Sequence, residues 1–373
     1  MYSKILLNKD LPYKKKVKNI ISYFLVRRGA RLNWDDMFRK FYASAPENFK
    51  PAFKKEENTH VHYWQYFSKR VNLNTYRVCK NLSGVGNPKY IPEEIYIADI
   101  EATLNHDKTA DYIGNKSLYN HWFDKGIFPM DYFHNIDGEF LNANLEQISQ
   151  RDLDILIEEI KYPVVIKPNR DSYGGKNVLM PTDPKELESA VRKLKNNFVV
   201  QEKICQHEFF QKYNPAGLNT IRVFLYRSVK NNDIHITGTC LRMGVGGGLD
   251  NLSSGGILTF IHPDGRMNGY AVNKFGVKYF KHPDTGLKFT ETIPDLKGLF
   301  NVSKKVASRI FYARIIGLDA CLDESGNWRM VEANVVGQHT IKFIQNAGFL
   351  FFGEFTDEVV EYCKTRHWAL QNN

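Results

Sequence analysis

The sequence predicts an α+β protein headed by a mainly helical, basic N-terminal region, on three observations. Residues 160–204 read as a strand–loop–strand–helix–strand unit, and residues 219–243 and 317–336 read as antiparallel hairpins. The first 95 residues mix charge and aromatic rings at helical spacing, as in Asp35-Asp36-Met37-Phe38-Arg39-Lys40-Phe41-Tyr42. At 373 residues the chain has room for two or three lobes, and the spans expected are 1–95, 96–204 and 205–373.

Taken in order, the apolar run Ile20–Val26 is short, ends in Arg27-Arg28 and lacks a small-residue cleavage site. It is neither a membrane span nor a signal peptide. Pro92 marks a break before the strand-like Ile95-Tyr96-Ile97-Ala98. Pro163–Pro168 is a short buried strand, followed by the polar loop Asn169–Lys176 and a second strand, Asn177–Met180. The next segment carries a helix start: Asp183 as N-cap, Pro184 in the first turn and Glu186 closing a capping box. Its apolar positions, Leu187, Ala190, Val191 and Leu194, keep helical spacing, and Phe198–Gln201 is the closing strand. Downstream, Asn219–Tyr226 and Ile234–Met243 flank a polar turn, a Gly-rich loop runs from Gly244 to Gly256, residues 301–316 look helical, and a hairpin spans Gly317–Val336.

Composition narrows the class. Hydrophobic residues at 43% and charged residues at 25% are those of a globular protein. Five widely spaced cysteines with no CxxC pair argue against a disulfide framework or a zinc site, and suit a reducing, cytoplasmic compartment. The net charge of +10 is concentrated in residues 1–80, which hold 18 Lys and Arg against 6 Asp and Glu. That excess suits a membrane surface, a glycan-assembly partner or an anionic saccharide, or else a plain solvated helical face. No RRM, helix-turn-helix or zinc motif accompanies it, so no nucleic acid is expected.

Three constellations carry chemistry. The last hairpin turns at Ser325-Gly326, so positions summing to 651 face each other, which pairs Asp319 with Glu332. Asn334, two residues on, shares that face. Opposed carboxylates destabilise a sheet, and a hard divalent cation such as Mg2+ turns the penalty into a site; an ordinary solvated hairpin is the alternative. Lys167 leaves its strand just before the loop that ends in Gly174-Gly175-Lys176. Glycines turn peptide N–H groups toward an anion and lysines supply point charges for phosphates, although the spacing is not that of a P-loop. Arg222 and Arg242 straddle the turn at 231–233 and should lie near one another, holding either an anion or neighbouring acids. No Ser-His-Asp arrangement or HExxH is present.

In this order the motifs resemble the ATP-grasp superfamily: Lys167 in Val-Val-Ile-Lys-Pro, the Gly-rich loop, Val199-Val200-Gln201-Glu202-Lys203-Ile204, and Asp319 followed by Glu332-x-Asn334. Leu218–Val223, Leu241–Gly244, and Asp250-Asn251 with Gly255-Gly256-Ile257 look like the sugar-transfer-associated ATP-grasp family, a group associated with surface polysaccharide synthesis. The resemblance spans roughly residues 95–350. It implies an ATP-grasp fold, in which two α+β lobes clamp ATP, and the cofactors ATP and Mg2+. It also implies Lys116 and Lys167 as phosphate lysines, with Asn115 where the family often has Asp. Gln201, Glu202, Lys203 and Ile204 would line the adenine, and Glu208 or His207 would hold the ribose. Asp319, Glu332 and Asn334 would bind Mg2+, while Arg222, Arg242 and Lys176 would steady the transferred phosphoryl group.

The implied reaction is carboxylate–amine ligation through an acyl phosphate, with a sugar or amino acid among the substrates. The alternatives are a phosphotransferase acting on a hydroxyl and a lapsed enzyme that binds nucleotide only.

Overall fold

The computed structural model describes the chain except residues 171–174, 248–249 and 373. Helix α1 (Tyr2–Leu7) precedes a 32-residue helix, α2 (Tyr13–Ser44), and two shorter helices follow, α3 (Lys54–Trp64) and α4 (Asn74–Ser83). Helix α2 buries Tyr23, Ala30, Trp34, Phe38 and Phe41, positions that recur at helical spacing on one side. Gly84, left-handed at φ 77°, ends α4 as only glycine does without strain.

Four strands, β1 (Asp131–Ile136), β2 (Glu139–Asn142), β3 (Val164–Pro168) and β4 (Phe198–Glu202), form an antiparallel sheet in the order β2-β1-β4-β3. Helices α5 (Gln150–Glu159) and α6 (Pro184–Leu194) pack on it through Leu153, Ile157, Leu187 and Ala190. Ser149 and Asp152 make a reciprocal capping box on α5. On α6, Asp183 accepts the Glu186 N–H as expected, while the Glu186 carboxylate turns to Thr182.

The larger sheet has seven strands in the order β11-β10-β5-β6-β7-β8-β9. These are β5 (Thr220–Arg227), β6 (Ile234–Met243), β7 (Ile257–Ile261), β8 (Ala271–Asn273), β9 (Lys278–Tyr279), β10 (Ile315–Leu322) and β11 (Trp328–Asn334). Helix α7 (Leu296–Ser308) covers one face, where Ile221, Val223, Ile316 and Leu318 point. The other face sends Phe224 and Tyr226 into a core shared with Trp34, Phe38 and Phe41 of α2, and with Val359 and Val360 of the last long helix, α8 (Thr356–Thr365). The strand period of two thus sorts β5 between two cores.

Three sequence expectations shift. Ile95–Ala98 is helical, running into a π-helical stretch, Tyr96–Glu101. Its side chains are buried nearly all round, which removes the period that separates helix from strand, while Pro92 followed by Glu93 and Glu94 is a helix-start signal. The strand at 177–180 shrinks to one bridge, Leu179 with Ile166, because Asn177 is left-handed at φ 60°. Helix α7 begins five residues earlier than position 301, where Asp295 caps the Gly298 N–H at 3.0 Å, and it ends at Ser308, so Ile315 and Ile316 belong to β10.

The π-helical stretch ties the N-terminal helices to the rest. The Asp99 carboxylate, fully buried, accepts from Tyr23 Oη at 2.8 Å and from Arg27, and meets His367 Nε2 at 3.1 Å. Removing one member of such a set strands the others' polarity in the core. Asp99→Ala is expected to cost about 3–5 kcal/mol of stability, read from urea unfolding at equilibrium.

Candidate active site

A cavity of about 1020 Å3 lies between the two sheets, lined by residues of both and by Met37 and Lys40 of α2. Strands β10 and β11 place its acids. Asp319 pairs with Glu332 and Gly317 with Asn334, so the two carboxylates oppose each other and Asn334 follows on the same face. The register was legible through two cancelling errors. The loop Asp323–Asn327 is centred on Ser325, and pairs next to it sum to 650. A bulge at Val331 then adds one residue and restores 651 at Asp319.

Asp319 is buried and fully engaged. Arg222 grips it bidentately, with its terminal nitrogen at 2.8 Å from Oδ2, and Arg242 approaches Oδ1 at 3.0 Å. The arginines are not cross-strand partners, because Arg222 pairs with Cys240 and Arg242 with Thr220. They stand diagonally, and the anion between them is the Asp319 carboxylate. Burial pushes the Asp319 carboxyl up, but Arg222 and Arg242 outweigh it and hold it below the usual range. Arg242 also faces Asp250 at 3.4 Å, which in turn accepts from Thr220. Asp250 is raised by burial against the pull of Arg242.

Lys116 reaches Glu332 Oε1 at 2.9 Å from a short turn whose Asn115 side chain accepts the Ser117 N–H. Its own N–H bonds to Asn169 O at 3.0 Å, which fixes the turn against the end of β3. Lys167 stands on β3 opposite Val199 and is 6% exposed. Burial, reinforced by Lys116, pushes its ammonium down to about 8. At the end of β4, Gln201 donates to Asp131 at 2.6 Å and leaves its own carbonyl oxygen without a partner, and Glu202 accepts from Arg329. Lys203 and Ile204 continue past the last strand pair, Val164 with Glu202, and line the cavity.

The structure therefore gathers Lys116, Lys167, Gly175, Gln201, Glu202, Lys203, Ile204, Arg222, Arg242, Asp319, Glu332 and Asn334 around one space. Lys176 and Glu208 are not among its lining residues, and Gly174 lies outside the described residues. Glu208 opens a short helix, Glu208–Gln211, capped by His207, whose ring accepts the Phe209 N–H. Of the far wall, sequence reasoning had only His339, as a histidine that could serve a site or be structural; it missed Met37, Lys40, Lys274, Phe275 and Lys342. Nothing local marks them, since they converge only because α2 packs on the larger sheet. Asp250 had a signal, in the Asp-Asn pair already singled out.

The donor set fits Mg2+. Among the described residues no three His, Cys, Asp or Glu cluster for a metal, and the acids here are two, completed by an amide. Two hard carboxylates stand in register with the Asn334 amide, Asp319 shared with Arg222 and Arg242 and Glu332 with Lys116, and these oxygens would be offered to an ion that keeps water and phosphate oxygens.

Residues 97–351 match the model of a family described as sugar-transfer associated ATP-grasp. No curated protein matches the chain. Among solved structures it is similar to an ADP complex of N5-carboxyaminoimidazole ribonucleotide synthetase, at 13% identity and TM-score 0.38, over 61% of this chain and 46% of that one. The biotin carboxylase domain of a Hydrogenobacter thermophilus 2-oxoglutarate carboxylase, solved with MgADP and bicarbonate, is similar at 15% and 0.39, over 62% and 41%. An L-amino acid ligase from Bacillus licheniformis is similar at 15% and 0.34, over 64% and 48%. The chain spans less than half the length of each, and likenesses of this size say nothing of its substrates.

Proposed function

Because the chain belongs to the sugar-transfer associated ATP-grasp family, we propose that it is an ATP- and Mg2+-dependent carboxylate–amine ligase working through an acyl phosphate. The observation that carries this reading is Asp319 facing Glu332 across one hairpin, in a cavity shared with the buried Lys116, Lys167 and Arg242 and the partly buried Arg222. Asp319, Glu332 and Asn334 would hold Mg2+, which supplies neutralising charge on the phosphates.

The chain's own residues do the rest. Lys116 and Lys167 place the phosphates. The end of β4, from Gln201 to Ile204, presents peptide and side-chain groups to the adenine. Arg222 and Arg242 steady the phosphoryl group in transfer. Lys176 and Glu208, outside the cavity lining, are left out of this assignment. A substrate carboxylate oxygen attacks the γ-phosphorus and the bond to ADP breaks. The amine nitrogen then displaces inorganic phosphate from the acyl carbon, so no protein nucleophile is required. Alignment and fixed charge supply the catalysis. The acids would be of the sugar or amino-acid type, the setting cell-surface polysaccharide synthesis, and the compartment the cytoplasm, which suits five free cysteines.

The test begins with calorimetry of MgATP binding, followed by a screen of acid–amine pairs for ADP and phosphate release. Release that requires both an acid and an amine supports the ligase. A phosphorylated product formed without an amine establishes the phosphotransferase instead. Tight nucleotide binding without turnover on any pair points to the lapsed enzyme.

A further inference from the structure

Nothing in the proposed reaction uses the outer side of α1 and α2. Among the described residues, eleven of the twenty exposed large apolar side chains lie within residues 1–44. Of the eight on α2, six make a stripe, Tyr13, Val17, Ile21, Phe24, Leu25 and Leu32, with exposures of 79%, 41%, 53%, 49%, 58% and 57%, while Val26 lies to one side and Tyr42 beyond its end. Leu6 and Leu7 of α1 add 56% and 79%. At 100° per residue these positions of α2 fall in an arc on the side away from Tyr23, Ala30 and Trp34, which the core holds. The stripe from Tyr13 to Leu32 runs ~29 Å along the helix axis.

Charge selects what can cover it. Residues 1–34 carry nine Lys and Arg and one acid, Asp10. Lys14, Lys18, Arg28 and Arg31 are exposed and alternate with the apolar positions. A second copy docking here would set cation against cation. An anionic lipid surface accepts both parts, headgroups meeting the lysines and arginines while the apolar rings and chains enter the acyl boundary. Among the described residues no helix is long and apolar enough to cross a membrane, so the contact lies in the plane of the interface.

We infer that α1 and the first five turns of α2 form an in-plane docking surface for an anionic membrane. The surface stands independently of the ligase reading.

The test is co-sedimentation of the full chain with vesicles of phosphatidylcholine alone and of phosphatidylcholine containing phosphatidylserine. Binding should require phosphatidylserine and weaken with salt. It should be lost in a variant combining Ile21→Ser, Phe24→Ser and Leu25→Ser, and fall roughly 5-fold per lysine in Lys14→Gln and Lys18→Gln. Thermal melting and MgATP calorimetry on the same proteins should not change, which separates a failure of this surface from a failure of the catalytic site. Equal binding to neutral vesicles, or binding that survives the triple variant, overturns the proposal. So does a wild type that ignores vesicles and self-associates through a contact the triple variant breaks.

Discussion

Replacing Glu332 with Gln is expected to remove Mg2+-dependent ATP turnover, by at least about 100-fold, in a protein that still melts cooperatively. The change keeps the side chain's shape and takes away one charge. In the folded protein that charge faces Asp319 across the hairpin and holds Lys116 at 2.9 Å. Asp319 is already spoken for by Arg222 and Arg242, so Glu332 is the carboxylate of the pair with the smaller internal claim on it. Its loss removes a hard oxygen ligand and leaves Lys116 beside Lys167 with less to balance them. ADP release measured against Mg2+ concentration, alongside a melting curve, decides the matter. Turnover that stays at the wild-type level in a folded protein sinks the metal assignment.

Lys167→Met is expected to weaken nucleotide binding by about 2–5 kcal/mol, because it deletes a buried charge aimed at phosphates. The same lysine makes binding sensitive to pH. Its ammonium ionises near 8 in the folded protein, against 10.5 for an ordinary lysine. Phosphates favour the charged form, so MgATP affinity should fall as pH rises through 8 and binding above it should take up a proton. Calorimetry in buffers of different ionisation enthalpy reads that uptake, and Lys167→Met should abolish it. The sign for stability is the opposite. Between pH 8 and 10.5 the unfolded chain carries a proton that the folded one has released, so this residue's contribution to stability rises with pH across that window. Below it the full cost of burying an ammonium is borne. A pH-independent stability difference between wild type and variant would refute the assignment of that low value to Lys167.

What the sequence made legible was local. Alternation assigned β5 and β6, the Asp183-Pro184-Glu186 signal opened α6, and a turn with two flanking acids brought Asp319 to Glu332. What it hid was tertiary. The Arg222–Arg242 pair was expected across a simple hairpin, but a bulge between Phe224 and Leu225 and the true pairing of Arg222 with Cys240 set them diagonally. Their shared anion comes from β10, whose Asp319 lies 97 positions beyond Arg222 and outside any hairpin arithmetic. The segment Ile95–Ala98 carried the residue types of a strand, and burial on nearly every side erased the pattern that would have corrected it. The far wall of the cavity depends on where α2 lands, which is settled by ring packing such as Trp34 against His339 and Phe41 against Phe275.

The anchoring of α2 also bears on the order in which the protein can be made. Asn19 hydrogen-bonds to Ala369 O, 350 positions along the chain, Asn8 to Leu370 O, and His367 closes on Asp99 beside Tyr23 and Arg27. A ribosome adding ~5–20 residues per second leaves α2 waiting on the order of 20–70 s for those C-terminal partners. Through that interval Phe38 can already meet Phe49 and Tyr23 can meet Asp99, but the part of the inner side meant for residues 367–371 stays uncovered. The nascent chain then presents a basic helix that is apolar on its outer side and open around Asn19 and Tyr23, a target for chaperones or for a lipid surface well before the catalytic cavity exists.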